Sequence, residues 1–83
     1  MNAATKANQA AQTMADNFAD FSGELVTATV ATLTDGVAIV FRFESDAGID
    51  RALAVHVLSG APAPTERRPA RAGVGPTIRW RFN

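Results

Sequence analysis

The sequence predicts an α+β protein in which an N-terminal amphipathic helix packs on one face of a four-stranded antiparallel sheet. Apolar residues recur every three or four positions over residues 1–22 and every second position after residue 24. A last apolar alternation follows a proline- and arginine-rich segment near the C-terminus. At 83 residues the chain is one small domain, which we divide into 1–22, 24–59, 60–76 and 77–83.

The first predicted element is a helix over residues 3–21. Its apolar stripe consists of Ala7, Ala11, Met14, Phe18 and Phe21. This spacing places all of these side chains on one helical face. Gly23 is the predicted cap, because glycine readily adopts the left-handed conformation that ends helices. Alanine buries little area, so we expect the helix to be more stable over residues 13–21 than over its N-terminal half.

Residues 24–59 are predicted to form a three-stranded β-meander. Residues 25–33 are rich in Val and Thr, and Asp35-Gly36 is a strong hairpin signal. Residues 37–44 alternate between apolar and more polar side chains. The third strand rests on apolar residues at 49, 53, 55 and 57, although Arg51 interrupts its apolar row. Residues 77–83 form the fourth strand, with Trp80 on the side that faces the core.

A 17-residue segment, 60–76, separates the third and fourth strands. It holds all four prolines, which favour an extended chain, and we expect an arm that lies along another protein. Arg67, Arg68 and Arg71 would offer forked donors to carboxylates there. The segment is long enough for the fourth strand to pair beside the third, to cross to the first, or to complete a neighbour's sheet.

The predicted sheet face away from the helix is less polar than a solvated face. In one register it carries Val30 and Val40, but the first strand has no clear polar side and its register stays open. Only 19% of residues are charged, against about 25% in ordinary domains. We therefore expect contact with other protein subunits, either copies of this chain or a larger assembly such as a capsid. A simpler explanation is that 17 alanines inflate the apolar count.

The net charge is zero, but the charges are unevenly distributed. Residues 1–59 carry three basic and seven acidic side chains, whereas residues 60–83 carry five basic and one acidic. This asymmetry predicts an acidic partner or head-to-tail contact between identical copies. The candidate partner-binding residues are Arg67, Arg68, Arg71, Arg79, Arg81, Val30 and Val40.

No motif predicts a catalytic residue, a cofactor or a metal site. His56 is the only histidine, there is no cysteine, and a strand would place Ser59 on the face opposite His56. We expect His56 to be a structural or surface residue. Acidic residues at 44, 46 and 50 surround a turn but match no calcium-loop spacing. The stretch AGVGP, 72–76, lacks the Lys-Ser/Thr of a phosphate-binding loop.

Arginines that alternate with Trp80 and Phe82 are typical of nucleic-acid surfaces. The zero net charge and the expected burial of Trp80 disfavour that partner. The first 20 residues contain no apolar core of an export signal, and the longest apolar run, 37–41, is too short to cross a membrane. We expect the protein in a virion or in the cytoplasm.

These observations predict a non-enzymatic structural subunit of a larger assembly. Seven arginines to one lysine, with abundant alanine, suggest a GC-rich bacterial or phage genome. This composition favours a small phage virion component, either a capsid decoration protein or a head–tail connection protein. The alternative is a small inhibitor of a host protein, and a nucleic-acid-binding module is the third hypothesis.

Overall fold

The computed structural model describes residues 3–82, and the side chains of residues 6–82, as two helices packed on one face of a four-stranded antiparallel sheet. In chain order the elements are α1 (Ala3–Ser22), β1 (Thr27–Leu33), β2 (Gly36–Arg42), α2 (Asp46–Leu58), β3 (Glu66–Arg68) and β4 (Thr77–Phe82). The strand order across the sheet is β1-β2-β4-β3. The predicted α+β class, N-terminal helix, four-stranded sheet and C-terminal strand are confirmed.

Helix α1 follows the predicted apolar stripe over most of its length. Ala11, Ala15 and Phe18 are buried in the core, whereas Phe21 is 39% exposed. The N–H of Gly23 donates to the carbonyl oxygen of Ala19 (2.9 Å), and Gly23 has a φ of 72°. The predicted glycine cap is therefore present.

The β1–β2 hairpin forms at the predicted place with a different turn. Thr34 and Asp35 are the two loop residues, and Gly36 is the first residue of β2, paired with Leu33. An Asp-Gly hairpin signal implies that these two residues occupy the central positions of a turn with positive φ. Neither has a positive φ, and Gly36 follows the loop, so that turn is not formed.

The prediction of a third strand in the meander is wrong, because residues 49–57 lie within helix α2. The Oγ of Ser45 accepts a hydrogen bond from the N–H of Gly48 (3.0 Å) and caps the start of this helix. Val55 and Val57, which we assigned to a strand, are 42% and 52% exposed. The buried or half-buried side chains follow helical spacing instead: Ile49, Ala52, Leu53 and His56.

Segment 60–76 is not a free arm, since it contains β3 and packs on its own sheet. The Nε1–H of Trp80 donates to the carbonyl oxygen of Pro62 (3.2 Å), and the N–H of Thr65 donates to that of Arg79 (2.7 Å). Pro76 is fully buried. The chain crosses the sheet as α2 and returns as β3, so that β4 fills the place between β2 and β3. The fourth strand thus pairs neither with the third predicted strand nor with the first.

The core lies between the sheet and the two helices. Trp80 is 4% exposed, and its ring contacts the rings of Phe18, Phe41 and His56. The prediction that Trp80 belongs to the core is confirmed. The largest fully buried apolar side chains around it are Phe18, Phe41, Phe43, Ile49 and Ile78.

We call the sheet face away from the helices the outer face. Val30 lies opposite Ile39, which lies opposite the buried Trp80, so Val30 faces the helices. The prediction that Val30 lies on the outer face is wrong, because the register of β1 is the other of the two that its sequence allowed. Val40 lies on the outer face as predicted, opposite Arg79.

Candidate docking cleft

Strand register brings together arginines that are distant in sequence. Residues directly opposite in an antiparallel sheet share a face, so each row across the sheet can be read from the pairing. Two neighbouring rows on the outer face are rich in arginine. One consists of Arg42, Thr77 and Arg68, and the other of Val40, Arg79 and Glu66.

A cleft of about 240 Å³ opens over these two rows. Val40 and Thr77, both half-buried in the sheet, line its floor. Residues 69–75 contribute one of its sides through Pro69, Arg71, Val74 and Gly75. We call the cleft and its charged residues the arginine cleft: Arg42, Arg68, Arg71, Arg79 and Glu66.

Main-chain contacts hold the side formed by residues 69–75 in place. Arg71 and Val74 exchange two backbone hydrogen bonds of 2.9 and 2.7 Å, which close a tight turn. The N–H of Phe43 donates to the carbonyl oxygen of Pro76 (2.9 Å) and ties the end of this segment to β2. A side chain at Gly75 would collide with the carbonyl oxygen of Phe43. Glycine is therefore required for the segment to approach β2 this closely.

The charges in the arginine cleft are not balanced. Glu66 forms ion pairs with Arg68 and, at 3.8 Å, with Arg79. A hydrogen bond and the positive charge from Arg68, and then the charge of Arg79, hold the pKa of Glu66 below its ordinary value. Among the side chains of residues 6–82, no carboxylate lies within ion-pair distance of Arg42 or Arg71. The cleft thus carries four guanidinium groups and one ionised carboxylate.

This arrangement is suited to binding an anionic group. A guanidinium presents a planar fork of donors that matches the two oxygens of a carboxylate or phosphate. Arg42 and Arg71 can offer their forks without first breaking an ion pair within the described chain. The only carboxylate in the cleft, Glu66, is held ionised and so has no proton to donate near neutral pH.

Of the seven predicted partner-binding residues, the arginine cleft contains Arg68, Arg71, Arg79 and Val40. Arg67 lies opposite the fully buried Ile78, so its side chain extends toward the helices. There it binds Asp50 (2.8 Å) and Asp46 (3.6 Å) of α2. Arg67 therefore lies outside the arginine cleft, where it fastens β3 to α2.

Arg81 lies on the outer face, but its side chain already forms an ion pair with a residue of the hairpin loop. Its guanidinium binds the carboxylate of Asp35 at 2.6 Å. Arg42 is not among the residues that the sequence predicts, because the charge asymmetry indicates only arginines of the basic C-terminal part. The available signal was its place in the alternation of β2, since Phe41 and Phe43 face the core and Arg42 points the other way.

His56 is part of the core boundary and is not placed for nucleophilic catalysis with Ser59. Its ring packs 5.3 Å from the rings of both Phe18 and Trp80. Ser59 donates its hydroxyl to the carbonyl oxygen of His56 (2.8 Å), not to the imidazole. No cluster of three or more potential metal ligands occurs in the part of the chain that the structure describes.

A second polar cluster, centred on Glu24, was also missed. The carboxylate of Glu24 accepts hydrogen bonds from the N–H groups of Glu44 (3.2 Å) and Ser45 (3.0 Å) and from the Ser45 hydroxyl. Arg51 contacts it at 3.5 Å. These contacts join the segment that precedes β1 to the N-terminus of α2. The hydrogen bond from the Ser45 hydroxyl contributes most to lowering the pKa of Glu24. Burial acts in the opposite direction, but the pKa of Glu24 still lies below its ordinary value of 4.5.

None of the described helices is long and apolar enough to cross a membrane. Comparison with protein-family models, with curated proteins and with solved structures finds no match to this chain.

Proposed function

We propose that the protein is a non-enzymatic assembly subunit that docks onto an acidic surface of another protein through the arginine cleft. The observation that carries this proposal is the pair of arginines without carboxylate partners, Arg42 and Arg71, that line the same preformed cleft. Backbone hydrogen bonds hold the segment that carries Arg71, so its main chain loses little conformational entropy when the cleft binds.

A protein partner fits this surface better than a nucleic acid does. Stacking on bases requires exposed aromatic rings, and Trp80 is buried on the other face of the sheet. The cleft floor instead presents Val40 and Thr77, a small apolar and polar area that suits a side chain ending in a carboxylate. The assembly that we propose is a phage virion, with this chain as a capsid decoration or head–tail connection protein. The arginine- and alanine-rich composition supports that setting.

The test compares the binding of two anionic probes, poly-glutamate and a DNA oligonucleotide of equal charge, by calorimetric titration. We expect poly-glutamate to bind and the double variant Arg42→Glu/Arg71→Glu to bind about tenfold more weakly or worse, since several exposed pairs of ~0–1 kcal/mol are lost together. For a matched change of charge, Arg71→Glu is compared with Lys6→Glu, whose exposed side chain lies on α1 outside the cleft.

Each outcome bears on the proposal. Loss of binding in Arg71→Glu with retention in Lys6→Glu supports docking through the cleft. Equal loss in both would mean that only overall charge matters. Tighter binding of DNA than of poly-glutamate would favour a nucleic-acid partner, and failure of both probes to bind would overturn the proposal.

A further inference from the structure

Strand β1 forms an open edge of the sheet. The strand order leaves it with one neighbour, β2, and all seven of its residues pair with that strand without a bulge. Its sequence, TATVATL, contains no charged residue, no proline and no glycine. Such an edge is a template for pairing with another strand, which proteins ordinarily prevent with charges, prolines, bulges or short strands.

The other edge of the same sheet shows these protective features. β3 is three residues long, and each of them, Glu66, Arg67 and Arg68, is charged. Proline follows directly at position 69 and also precedes the strand at position 64. β3 is therefore closed to a further strand, and the open edge at β1 is a specific feature of this sheet.

The hairpin geometry identifies which backbone groups of β1 face outward. Leu33 and Gly36 flank a two-residue loop, and such a pair is joined by the hydrogen bonds that close the turn. Hydrogen-bonded positions then alternate along the strand, so the odd-numbered residues of β1 bond β2. The N–H and C=O groups of Ala28, Val30 and Thr32 point to the free edge. Within residues 3–82, no backbone hydrogen bond outside the β1–β2 ladder reaches these groups.

We propose that β1 pairs with β1 of a second copy of this chain, antiparallel and centred on Val30, so that two sheets become one continuous sheet. In this register Val30 lies opposite Val30 of the second copy, and Ala28 lies opposite Thr32. The three outward-facing residues of each copy then form hydrogen-bonded pairs with one another. On the outer face, Thr29 lies opposite Ala31. Each pair combines small or β-branched side chains, with no charge on either side.

Charge and topology favour a second copy and a closed dimer. The nearest outer-face arginine, Arg42, is one strand away from the edge, so two copies of it would be separated by three strand spacings, about 14 Å or more. That distance exceeds the Debye length of about 8 Å at physiological salt, so the basic outer faces do not oppose pairing. Because β3 is closed, the joined sheet cannot grow further, and a two-fold dimer results instead of a fibre.

The first experiment measures sedimentation of the protein over a range of concentrations. We expect the wild type to have twice the monomer mass, and Thr32→Pro to sediment as a monomer, because proline removes an outward N–H and its ring blocks the approach of the second strand. The matched control is Thr34→Pro, the same substitution in the hairpin loop, which should remain dimeric. Circular dichroism verifies that both variants are folded. A wild type that stays monomeric, or a folded Thr32→Pro that stays dimeric, overturns the proposal.

The second experiment tests the register and does not depend on a proline variant. The chain has no cysteine, so Thr29→Cys and Ala31→Cys each introduce a single thiol on the exposed outer face. Opposite residues at such non-hydrogen-bonded positions have Cα atoms about 4.5 Å apart, within the range that a disulfide spans. A mixture of the two variants should form a mixed disulfide dimer on mild oxidation. Either variant alone should form far less, because its thiols lie on diagonal positions about 7–8 Å apart.

The outcome with Thr34→Cys sets the background of random cross-linking. Mixed cross-links no more frequent than this background would overturn the proposed pairing, even if the protein is dimeric. The dimer and the arginine cleft are separately testable, since Arg42→Glu/Arg71→Glu should remain dimeric and Thr32→Pro should still bind poly-glutamate.

Discussion

Glu24 shows how much of this small fold depends on a single carboxylate. It receives two backbone N–H groups and the hydroxyl of Ser45, the residue that caps α2. It also contacts Arg51, which donates to the carbonyl oxygen of Ser22 at the end of α1 (2.9 Å). One side chain thus connects both helices and the start of the sheet. A side chain at Gly48 would collide with this carboxylate, which explains a glycine in the first turn of α2.

The hydrogen bonds to Glu24 predict how stability depends on pH. Because its pKa in the folded protein lies below the ordinary 4.5, its stabilising contribution is complete above pH 4.5 and is lost as the pH falls through the folded-state pKa. We expect Glu24→Gln to lower the melting temperature at neutral pH and to make it less dependent on pH over the acidic range. Glu66, whose pKa is also lowered, leaves some acid dependence in this variant. Thermal melts from neutral to acidic pH measure both effects.

The control for this prediction is Asp20→Asn, which removes an exposed carboxylate from α1. This variant should retain the acid dependence of the wild type. A Glu24→Gln variant with the wild-type pH profile would show that the contacts of Glu24 contribute nothing to acid sensitivity.

At the level of elements, helical and strand periodicity could be separated for α1 but not for α2. Residues 49–57 contain apolar side chains at both helical and alternate spacing, so period alone does not decide between them. The deciding signal was local: Ser45 before Asp46 is a helix N-cap with an acidic first turn, and Arg51 on a strand face would have been anomalous. β3 could not be predicted, because three charged residues become a strand only when β4 offers partners.

The arginine cleft could be predicted only in part for a related reason. Arg68, Arg71 and Arg79 come from one basic stretch of sequence, but Arg42 joins them through strand register. The register of β1 also places Val30 on the core face, and the register of β3 places Arg67 on the side of α2. Composition thus predicts that an arginine-rich surface exists, whereas long-range strand pairing determines which residues form it.

The packing of segment 60–76 predicts a specific pattern of proteolysis. Arg71 lies exposed at a tight turn, whereas Arg67 lies within β3 and is bound to α2. Trypsin should therefore cut after Arg71 before it cuts after Arg67, and Arg68 should be spared because proline follows it. Mass spectrometry of a time course with dilute enzyme identifies the order. Equally rapid early cleavage after Arg67 and Arg71 would show that β3 is open in solution.

At the scale of the whole molecule, part of the charge asymmetry of the sequence becomes a separation between two layers. The arginine cleft lies on the outer face of the sheet, while exposed carboxylates such as Asp16 and Asp20 lie on α1 in the helix layer. Two kinds of association are compatible with such a charge distribution. The helix layer of one copy could stack on the outer face of the next, which makes an open chain of copies, or the outer face could stay free for an acidic partner.

The two can be distinguished by removing charge from the helix layer alone. Because β1 pairing uses uncharged residues and the cleft is on the opposite layer, we expect Asp16→Asn/Asp20→Asn to leave both the dimer and the binding of poly-glutamate unchanged. Raising the salt concentration above ~0.15 M should weaken poly-glutamate binding and leave the dimer intact, because screening acts on exposed charges and not on main-chain hydrogen bonds. Sedimentation and titration in parallel measure the two responses. The opposite outcome is an aspartate variant that is monomeric, or a wild-type protein that dissociates when salt is added. Either result would show that the copies associate head to tail through their charged layers, with the outer face covered by the next copy.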